Sequence, residues 1–187
     1  MRADRVPPGQ RETTRWPVLR AGGIPRIDPS SWAVLLFGLV RQPHAITLFE
    51  FEALPRVAVY AGFHCVTGWS RLGNLWEGVS ARTIADLAEV RPEARFVVVR
   101  DTHGFITDLP LADLLAEDVL LATHHDGQPL SAEHGGPVRL VVPRLYAWKS
   151  CKWIERIEFV ADNRPGFWES RGYHDRGDPW REERYRR

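Results

Sequence analysis

One segment of the sequence places a cysteine beside a glycine turn. Residues 63–70 read FHCVTGWS, and they follow a stretch, Arg56 to Gly62, whose alternating β-branched residues predict a strand. A thiolate is a strong nucleophile and a soft metal ligand, so Cys65, at a strand end next to a loop, is placed for chemistry. Most free cysteines are instead small buried hydrophobic residues, and position alone does not decide between the two roles.

A second segment, His134 to Trp153, combines glycines with cationic side chains. Gly135-Gly136 permits a close backbone approach, and Arg139 offers a planar fork of donors. The run Lys149-Ser150-Cys151-Lys152 concentrates positive charge and a hydroxyl, which suits a phosphate group. The spacing is not that of a Walker A loop, and a solvated basic loop between two strands would have the same composition.

A third segment, Arg164 to His174, is aromatic, irregular and rich in glycine. It predicts either a loop packed into a cleft, where Tyr173 would present a neutral hydroxyl, or an aromatic tail packed in the core. The eight tryptophans of the chain could wall a pocket in the same way, although core packing is their commoner use. The last residues, Asp178 to Arg187, are highly charged and are expected to form a solvated end.

Zinc and hydrolase sites are disfavoured by spacing. Neighbouring residues of a strand point to opposite faces, so His64 and Cys65 are not expected to share a metal. No His-x3-His pair falls on a predicted helix, and no spacing singles out the base of a Cys-His-acid hydrolase. The candidate ligands in the sequence are His64, Cys65, His103, His124, His125 and His134.

The elements that would position these segments are mostly strands. Thr47 followed by Glu50 is a capping box and predicts a helix over Thr47 to Leu54, while Asp108 is a candidate cap for a helix over Pro110 to Ala116. The pattern predicts an α+β domain with mixed β-sheets and short scattered helices over residues 16–187, preceded by an extended arm over residues 1–15. The other predicted elements are strands at Trp32–Val40, Arg95–Arg100, Val119–Thr123, Val138–Val142 and Ile154–Val160, and a helix at Ala81–Val90.

Composition excludes several classes of protein. The 187 residues carry 25 basic and 24 acidic side chains, a net charge of +1 that gives no reason to expect nucleic acid as a partner. Two cysteines cannot supply a four-thiolate iron–sulfur cluster, and the Cys-x-x-Cys-His motif of covalent haem is absent. No apolar run is long enough for a membrane span and no secretory leader is visible, so we expect a cytoplasmic, reducing setting.

Taken together, the three segments resemble the sulfite-oxidase-like molybdopterin oxidoreductases. The similarity is greatest to the short single-domain bacterial type, which is related to the molybdenum subunit of methionine-sulfoxide reductase. The resemblance implies a sulfite-oxidase-type molybdopterin-binding domain, with Cys65 as the thiolate ligand of molybdenum and Tyr173 facing the metal and the substrate. It also implies a set of contacts to the pterin and its phosphate, for which we expect Asp101, His134, Arg139, Lys149, Ser150, Lys152 and the backbone of Cys151.

The resemblance implies an enzyme that transfers an oxygen atom to or from a small sulfur- or nitrogen-oxo substrate. A separate electron-transfer partner is expected, because the chain shows neither a haem domain nor an iron–sulfur motif. The stretch Trp16 to Gly23 lacks the Asn-His pair of the family, and Arg20 is a candidate replacement. Arg71 is a candidate for holding an anion above the metal. The alternative is a non-catalytic molybdopterin-binding module that retains the fold.

Overall fold

The computed structural model describes residues 5–186, which form two β-sheets and three short α-helices. The predicted α+β class is therefore confirmed. The strands are β1 (Arg11–Glu12), β2 (Ala33–Gly38), β3 (His44–Thr47), β4 (Arg56–Cys65), β5 (Trp69–Ser80), β6 (Phe96–Asp101), β7 (Ile106–Pro110), β8 (Leu120–His125), β9 (Gln128–Pro129), β10 (Arg139–Val141) and β11 (Ile154–Val160). The helices are α1 (Leu48–Glu52), α2 (Ala81–Leu87) and α3 (Leu111–Leu114). No helix among the described residues is long and apolar enough to cross a membrane.

The arm and domain limits drawn from the sequence remain a prediction. Residues 1–4 of the arm and Arg187 lie outside the described residues. Within the rest of the arm, β1 pairs in parallel with Trp69 and Ser70 of β5, so this part of the arm is joined to a sheet.

One sheet has the strand order β3-β2-β11-β6-β7. β11 lies at its centre, parallel to β2 and antiparallel to β6. The apolar run 97–99 of β6 predicts a strand buried on both faces, and all three valines are buried here. The sequence did not predict β7 or β3. Each strand is short, and the neighbouring turn or helix has the stronger pattern in the sequence.

The other sheet is organised around β5, which the sequence did not predict as a strand. β5 pairs along its length with β4, while its second edge pairs first with β1 and then with β8. β8 also pairs, antiparallel, with β9 and β10. The strand was missed because Gly73 and Gly78 interrupt its pattern; a Cβ at Gly78 would lie 2.0 Å from the Leu121 carbonyl oxygen, so only glycine fits there.

The two sheets share one apolar core. It contains Val34 of β2 and Val97 of β6 from one sheet, and Val79 of β5 and Leu121 of β8 from the other. A smaller apolar cluster lies on the β4–β5 hairpin and includes Phe63, two residues before Cys65. This packing holds in place the end of the hairpin that carries Cys65.

Local capping signals were accurate at one helix and wrong at another. Thr47 and Glu50 form the predicted capping box of α1, and the Ser80 side chain caps α2. Asp108 does not cap α3: the N-cap position is Pro110, and Asp108 lies in β7 with its side chain buried against Lys149. The Lys149 ammonium binds the Asp108 carboxylate, so this carboxylate does not cap the backbone N–H groups at the start of α3.

Candidate cofactor site

A cavity of about 630 Å³ opens where the segments singled out in the sequence meet. This volume is in the range of small-molecule and cofactor pockets. Its walls come from the irregular segment 16–23, the turn after β4, the loop after β6, the segment 147–153 and the C-terminal aromatic segment. The lining includes Trp16, Arg20, Cys65, Thr67, Trp69, Asp101, Phe105, Arg139, Trp148, Ser150, Cys151, Lys152, Trp153, Phe167, Trp168 and Tyr173.

Cys65 ends β4 and lines the cavity with only 6% of its surface exposed. Its Sγ lies 3.2 Å from Thr67 Oγ1, and burial raises the pKa of the thiol. His64 belongs to the other face of the strand, where its Nδ1 lies 2.8 Å from Ser70 Oγ. Cys65 belongs to the cavity lining and His64 does not. Within residues 5–186, no three His, Cys, Asp or Glu side chains are grouped to hold a metal ion.

Arg139 is a buried cation beside the cavity. Its guanidinium donates to the carbonyl oxygens of His134 at 2.8 Å and Ser150 at 3.0 Å, and among the described residues no carboxylate pairs with it. Burial lowers its pKa to about 10. A desolvated cation without a counter-ion is costly, so the arrangement favours an anion in the adjacent cavity.

Lys152 lies in the same wall. Its ammonium donates to the carbonyl oxygens of Glu133 at 2.7 Å and Leu19 at 3.1 Å. Burial, and then the charges of Arg139 and Arg20, lower its pKa to about 7. Burial is the main cause of the lowered pKa, as it is for Arg139, and the neighbouring positive charges lower it further.

Backbone features shape this end of the cavity. Gly135 has φ +104°, and a Cβ there would come within 3.0 Å of the Lys152 side chain. Ser150 Oγ accepts a hydrogen bond from the Val142 amide at 2.9 Å, which leaves its own proton free to donate. Asp101 accepts from the amides of His103 and Phe105, both at 2.8 Å, and burial raises its pKa.

Lys149 does not line the cavity, in contrast to the role predicted for it. The side chain is fully buried, and its Nζ lies 2.6 Å from Glu169 Oε1 and 3.3 Å from Asp108 Oδ1. Trp148 Nε1 donates to the same Glu169 oxygen at 2.7 Å. The ammonium is neutralised by two carboxylates, so Lys149 fixes the cavity wall and is not available to a phosphate.

Two further predicted residues also lie outside the lining. The His134 ring stacks on Trp16 with centroids 3.8 Å apart, so it supports a lining residue from behind. Arg71 donates to Asp126 Oδ2 at 2.8 Å and contacts His125 Nε2 at 2.9 Å. This arrangement gives no support to Arg71 as an anion ligand above the metal.

Tyr173 lies in the wall formed by the C-terminal segment. Its ring meets those of Trp148 and Trp168 with centroids 5.3 and 5.0 Å away. Burial raises its pKa, so the phenol is a neutral donor at physiological pH. Cys151 also belongs to the lining, but its side chain is 1% exposed and burial raises its pKa well above the usual range.

Sequence reasoning missed Arg184, which lies in the stretch expected to be a solvated end. Its guanidinium donates to the carbonyl oxygens of Val66 and of Gly9, the latter at 3.0 Å. It therefore ties the turn after Cys65 to the N-terminal arm. A lone arginine in a charged tail gives no sequence signal for such a contact.

The family model for the oxidoreductase molybdopterin binding domain matches residues 21–168. The chain belongs to this family. The match contains Cys65, Arg139 and Lys152, whereas Tyr173 and Arg184 lie beyond it. The resemblance inferred from the three segments is thereby confirmed.

Relatives of known name agree with this assignment. The chain is 49% identical to the uncharacterized oxidoreductase YuiH of Bacillus subtilis, over 97% of this chain and 92% of that protein. It is 27% identical to sulfite oxidase of Arabidopsis thaliana, over 81% of this chain and 48% of the relative. It is 29% identical to the protein-methionine-sulfoxide reductase catalytic subunit MsrP of Campylobacter jejuni, over 76% and 54%. The chain thus spans about half the length of the last two.

A solved structure supports the fold. The sulfane dehydrogenase SoxCD from Paracoccus pantotrophus superposes with a TM-score of 0.69 at 23% sequence identity, covering 75% of this chain and 41% of that one. At this identity the likeness concerns the fold alone, which is the sulfite-oxidase type expected from the sequence.

The residues present fit a molybdopterin cofactor. An arginine buried without a carboxylate partner and a lysine of depressed pKa stand at one part of the cavity, as the phosphate of the pterin requires. The lining contains two thiols, and Cys151 is 1% exposed and donates to the Lys152 carbonyl, so Cys65 is the soft donor open to a ligand in the cavity. One protein donor suffices only for a metal that arrives with ligands of its own, and a pterin dithiolene provides them.

Proposed function

We propose that this protein is a molybdopterin-dependent oxidoreductase that transfers an oxygen atom to or from a small sulfur- or nitrogen-oxo substrate. The observation that carries the proposal is the cavity itself, which combines the Cys65 thiol with two cations that no described carboxylate pairs with, the buried Arg139 and the half-buried Lys152, in a member of a molybdopterin-binding family. The relatives named as sulfite oxidase and as a methionine-sulfoxide reductase subunit support this class of chemistry.

In this proposal the chain holds the cofactor at two points. Cys65 would ligate the molybdenum, while Arg139, Lys152 and the Ser150 hydroxyl would bind the phosphate of the pterin. Binding an anion beside Arg139 would compensate its desolvated charge, which the carbonyl groups of His134 and Ser150 solvate only in part. Gly135 keeps the space between the two cations open for the ligand.

The bound cofactor would supply two-electron redox chemistry coupled to transfer of an oxygen atom. The protein's part is positioning. Tyr173 would hold a proton on its hydroxyl and donate a hydrogen bond to the oxo group of the substrate. Trp148 and Trp168, whose rings contact that of Tyr173, would exclude water and fix the phenol. Arg184 would hold the turn that follows Cys65 by binding the Val66 carbonyl.

Electrons would be exchanged with a separate partner. The chain contains only two cysteines, both free and buried, so a cluster of several thiolates has no ligands in it. We propose that the protein works with such a partner in the cytoplasm.

Metal and pterin analysis tests the proposal. Protein expressed in cells with intact pterin biosynthesis should carry about one molybdenum and one pterin per chain, and Cys65→Ser should keep the pterin but lose the thiolate ligand of the metal, and turnover with it. Turnover of sulfite, sulfoxides, N-oxides or nitrate with artificial electron carriers should follow the molybdenum content. A folded wild-type protein without molybdenum contradicts the proposal, and bound pterin without any turnover supports a non-catalytic binding module instead.

A further inference from the structure

One wall of the cavity is an irregular segment, residues 14–27, which we call the strap. Seven residues of the cavity lining belong to it, all between Trp16 and Gly23. The strap contains no helix or strand, and none of its residues is buried. On this side the cavity is therefore covered by a stretch of chain with little packing of its own.

Both ends of the strap are fixed to the domain. Just before it, β1 pairs with β5, and the Thr13 amide donates to the Ser70 carbonyl oxygen at 2.9 Å. At its other end, the Ile27 side chain packs against the main apolar core. Between these two points the strap forms no backbone–backbone hydrogen bond within residues 5–186. A segment held in this way can open at a low cost in free energy while the core stays intact.

Contacts of two strap residues hold its middle against the domain. The Trp16 indole stacks on the His134 ring with centroids 3.8 Å apart, and its centroid lies 4.2 Å from that of His125. The Lys152 ammonium donates to the Leu19 carbonyl oxygen at 3.1 Å. Releasing one indole and one hydrogen bond exposes little apolar surface, so these contacts can be broken without unfolding the domain.

The part of the strap that follows Leu19 is unrestrained. From Arg20 to Arg26, no hydrogen bond joins the strap to the other residues that the structure describes. Gly22 and Gly23 lie in this part; neither has a positive φ, and a Cβ on either would meet no atom within 4 Å. The observed conformation does not require glycine at these positions, so the two residues mainly add conformational freedom.

The strap lies against the cations that would bind the phosphate of the pterin. The Trp16 ring centroid is 5.9 Å from the Arg139 guanidinium carbon, and Lys152, which binds Leu19, lines the same cavity. Arg20 of the strap is itself a cation of the lining. A ligand held among these groups would contact the strap and the domain together, so its binding would favour the closed strap.

We propose that the strap opens to admit the pterin cofactor, turning at Thr13 and Ile27, and closes over the cofactor phosphate with the Trp16 indole as its main contact to the domain. The identity of the ligand rests on the proposed function, whereas the opening of the strap in the cofactor-free chain does not. Trp16 is thus a positioning residue: it holds the wall that the cofactor must pass.

Limited digestion with trypsin measures the opening, because the strap contains the peptide bonds after Arg20 and Arg26. In cofactor-free protein these bonds should be cut at least about tenfold faster than the bond after Arg41, an exposed arginine whose backbone amide donates to the Glu89 carbonyl oxygen. Bound molybdopterin should slow cleavage of the strap by at least about tenfold and leave cleavage after Arg41 unchanged. Equal rates in the strap and after Arg41, or strap cleavage that the cofactor does not slow, overturn the inference.

Variants of the cofactor-free protein test the role of Trp16. Trp16→Ala removes the stack on His134, and cleavage after Arg26 should become at least about fivefold faster than in the wild type. Trp16→Phe keeps part of the ring contact and should give an intermediate rate. Equal cleavage in Trp16→Ala and the wild type contradicts the inference. Faster cleavage after Arg41 as well would mean that the whole domain has loosened, and the glycine pair then decides.

The glycine pair tests the freedom of the strap. Gly22→Ala combined with Gly23→Ala should slow cleavage after Arg26 at least about threefold, because alanine restricts the open segment more than the closed one. Each rate is divided by that of the same chain unfolded in urea, which removes any effect on trypsin itself. If the double variant is cut as fast as the wild type, the glycines do not serve opening and the inference fails.

The proposed function and the strap fail in different ways. Folded protein that binds no molybdopterin contradicts the proposed function, and with it the ligand assigned to the strap. Protein that retains about one molybdopterin per chain, but whose strap is cut at the same rate with and without it, contradicts the inference about the strap alone.

Discussion

The ammonium of Lys149 lies 2.6 Å from the carboxylate of Glu169, and both side chains are fully buried. This contact joins the segment that carries Trp148 to the segment that leads to Tyr173, two parts of the cavity wall. Asp108 of β7 completes the group through its backbone oxygen, 2.7 Å from Nζ, and through its carboxylate. The three side chains fix the aromatic wall of the site from behind.

Removing the Lys149 ammonium should destabilise the fold strongly. Lys149→Met leaves two carboxylates buried without a cation, and we expect a loss of about 3–5 kcal/mol in the free energy of unfolding. Glu169→Gln keeps an acceptor for Trp148 and leaves Lys149 paired with Asp108, so a loss of about 1–2 kcal/mol is expected. Urea unfolding monitored by tryptophan fluorescence measures both.

A surface ion pair provides the control for that measurement. Arg41 donates to Glu89 at 2.8 Å, with both side chains more than half exposed. Arg41→Met should unfold within error of the wild type, because exposed pairs are screened by solvent. If Lys149→Met were as stable as Arg41→Met, the buried group would not hold the wall.

Arginines inside and outside the lining should differ in their effect on the cofactor. Arg139→Met removes the buried cation of the cavity lining, and molybdopterin retention after gel filtration should fall by about tenfold or more, as for a lost charge-assisted hydrogen bond. Arg71→Met removes a cation bound to Asp126, away from the lining, and should retain the cofactor. Equal retention in the two variants would contradict the assignment of Arg139 to the phosphate of the pterin.

Anion affinity of the cofactor-free protein should depend on pH through Lys152. Its pKa of about 7 is set by burial, by Arg139 and Arg20, which lower it, and by Glu133, which raises it. Only the protonated form attracts an anion, so affinity falls as pH rises through 7. Sulfate, whose charge is constant in this range, should bind roughly tenfold more weakly at pH 8 than at pH 6.

A matched variant separates the contribution of Lys152 to anion binding from that of Arg139. In Lys152→Met, sulfate affinity should be weak and independent of pH, since Arg139 stays charged throughout. A wild-type affinity that does not change between pH 6 and pH 8 would show that Lys152 takes no part in anion binding. Calorimetry in buffers of matched ionic strength makes the comparison.

Acid should destabilise the fold through His125. Burial lowers its pKa to about 4, and its Nε2 faces the Arg71 guanidinium at 2.9 Å. The imidazole is therefore neutral in the folded state, and its contribution to stability is complete above pH 6.5 and is lost as pH falls from there towards 4. At pH 5 the loss should be about 1 kcal/mol after allowance for solvent screening.

Two histidine variants test this slope. His125→Asn removes the titrating group, so the fall in unfolding free energy between pH 7 and pH 5 should be smaller than in the wild type. His44→Asn alters an exposed histidine and should keep the wild-type slope. An unchanged slope in His125→Asn would show that other groups carry the acid sensitivity.

Local patterns in the sequence predicted much of the fold. The alternation over Ile154 to Val160 gave β11 with its exact bounds in the structure, and the capping box at Thr47 located α1. β5 was missed because its glycines serve close contacts between strands, as Gly78 does against Leu121. Such contacts depend on strand register, which a local pattern does not contain.

The sequence predicted which residue types form the site, but not which partner each side chain faces. Cys65, Arg139 and Lys152 are together in one cavity, as the ordered segments implied. Lys149 differs from Lys152, three residues later, because it meets carboxylates contributed by β7 and the C-terminal segment. Those partners are 41 residues before it and 20 residues after it in the sequence, and no local pattern reveals that they converge.

The central claim is that Cys65 is the protein ligand of molybdenum, and X-ray absorption at the molybdenum edge tests it most directly. We predict one fewer sulfur ligand in Cys65→Ser than in the wild type, and an unchanged sulfur count in Cys151→Ser, whose thiol is buried and hydrogen-bonded to the Lys152 carbonyl. Molybdenum that keeps its full sulfur count in Cys65→Ser would contradict the account.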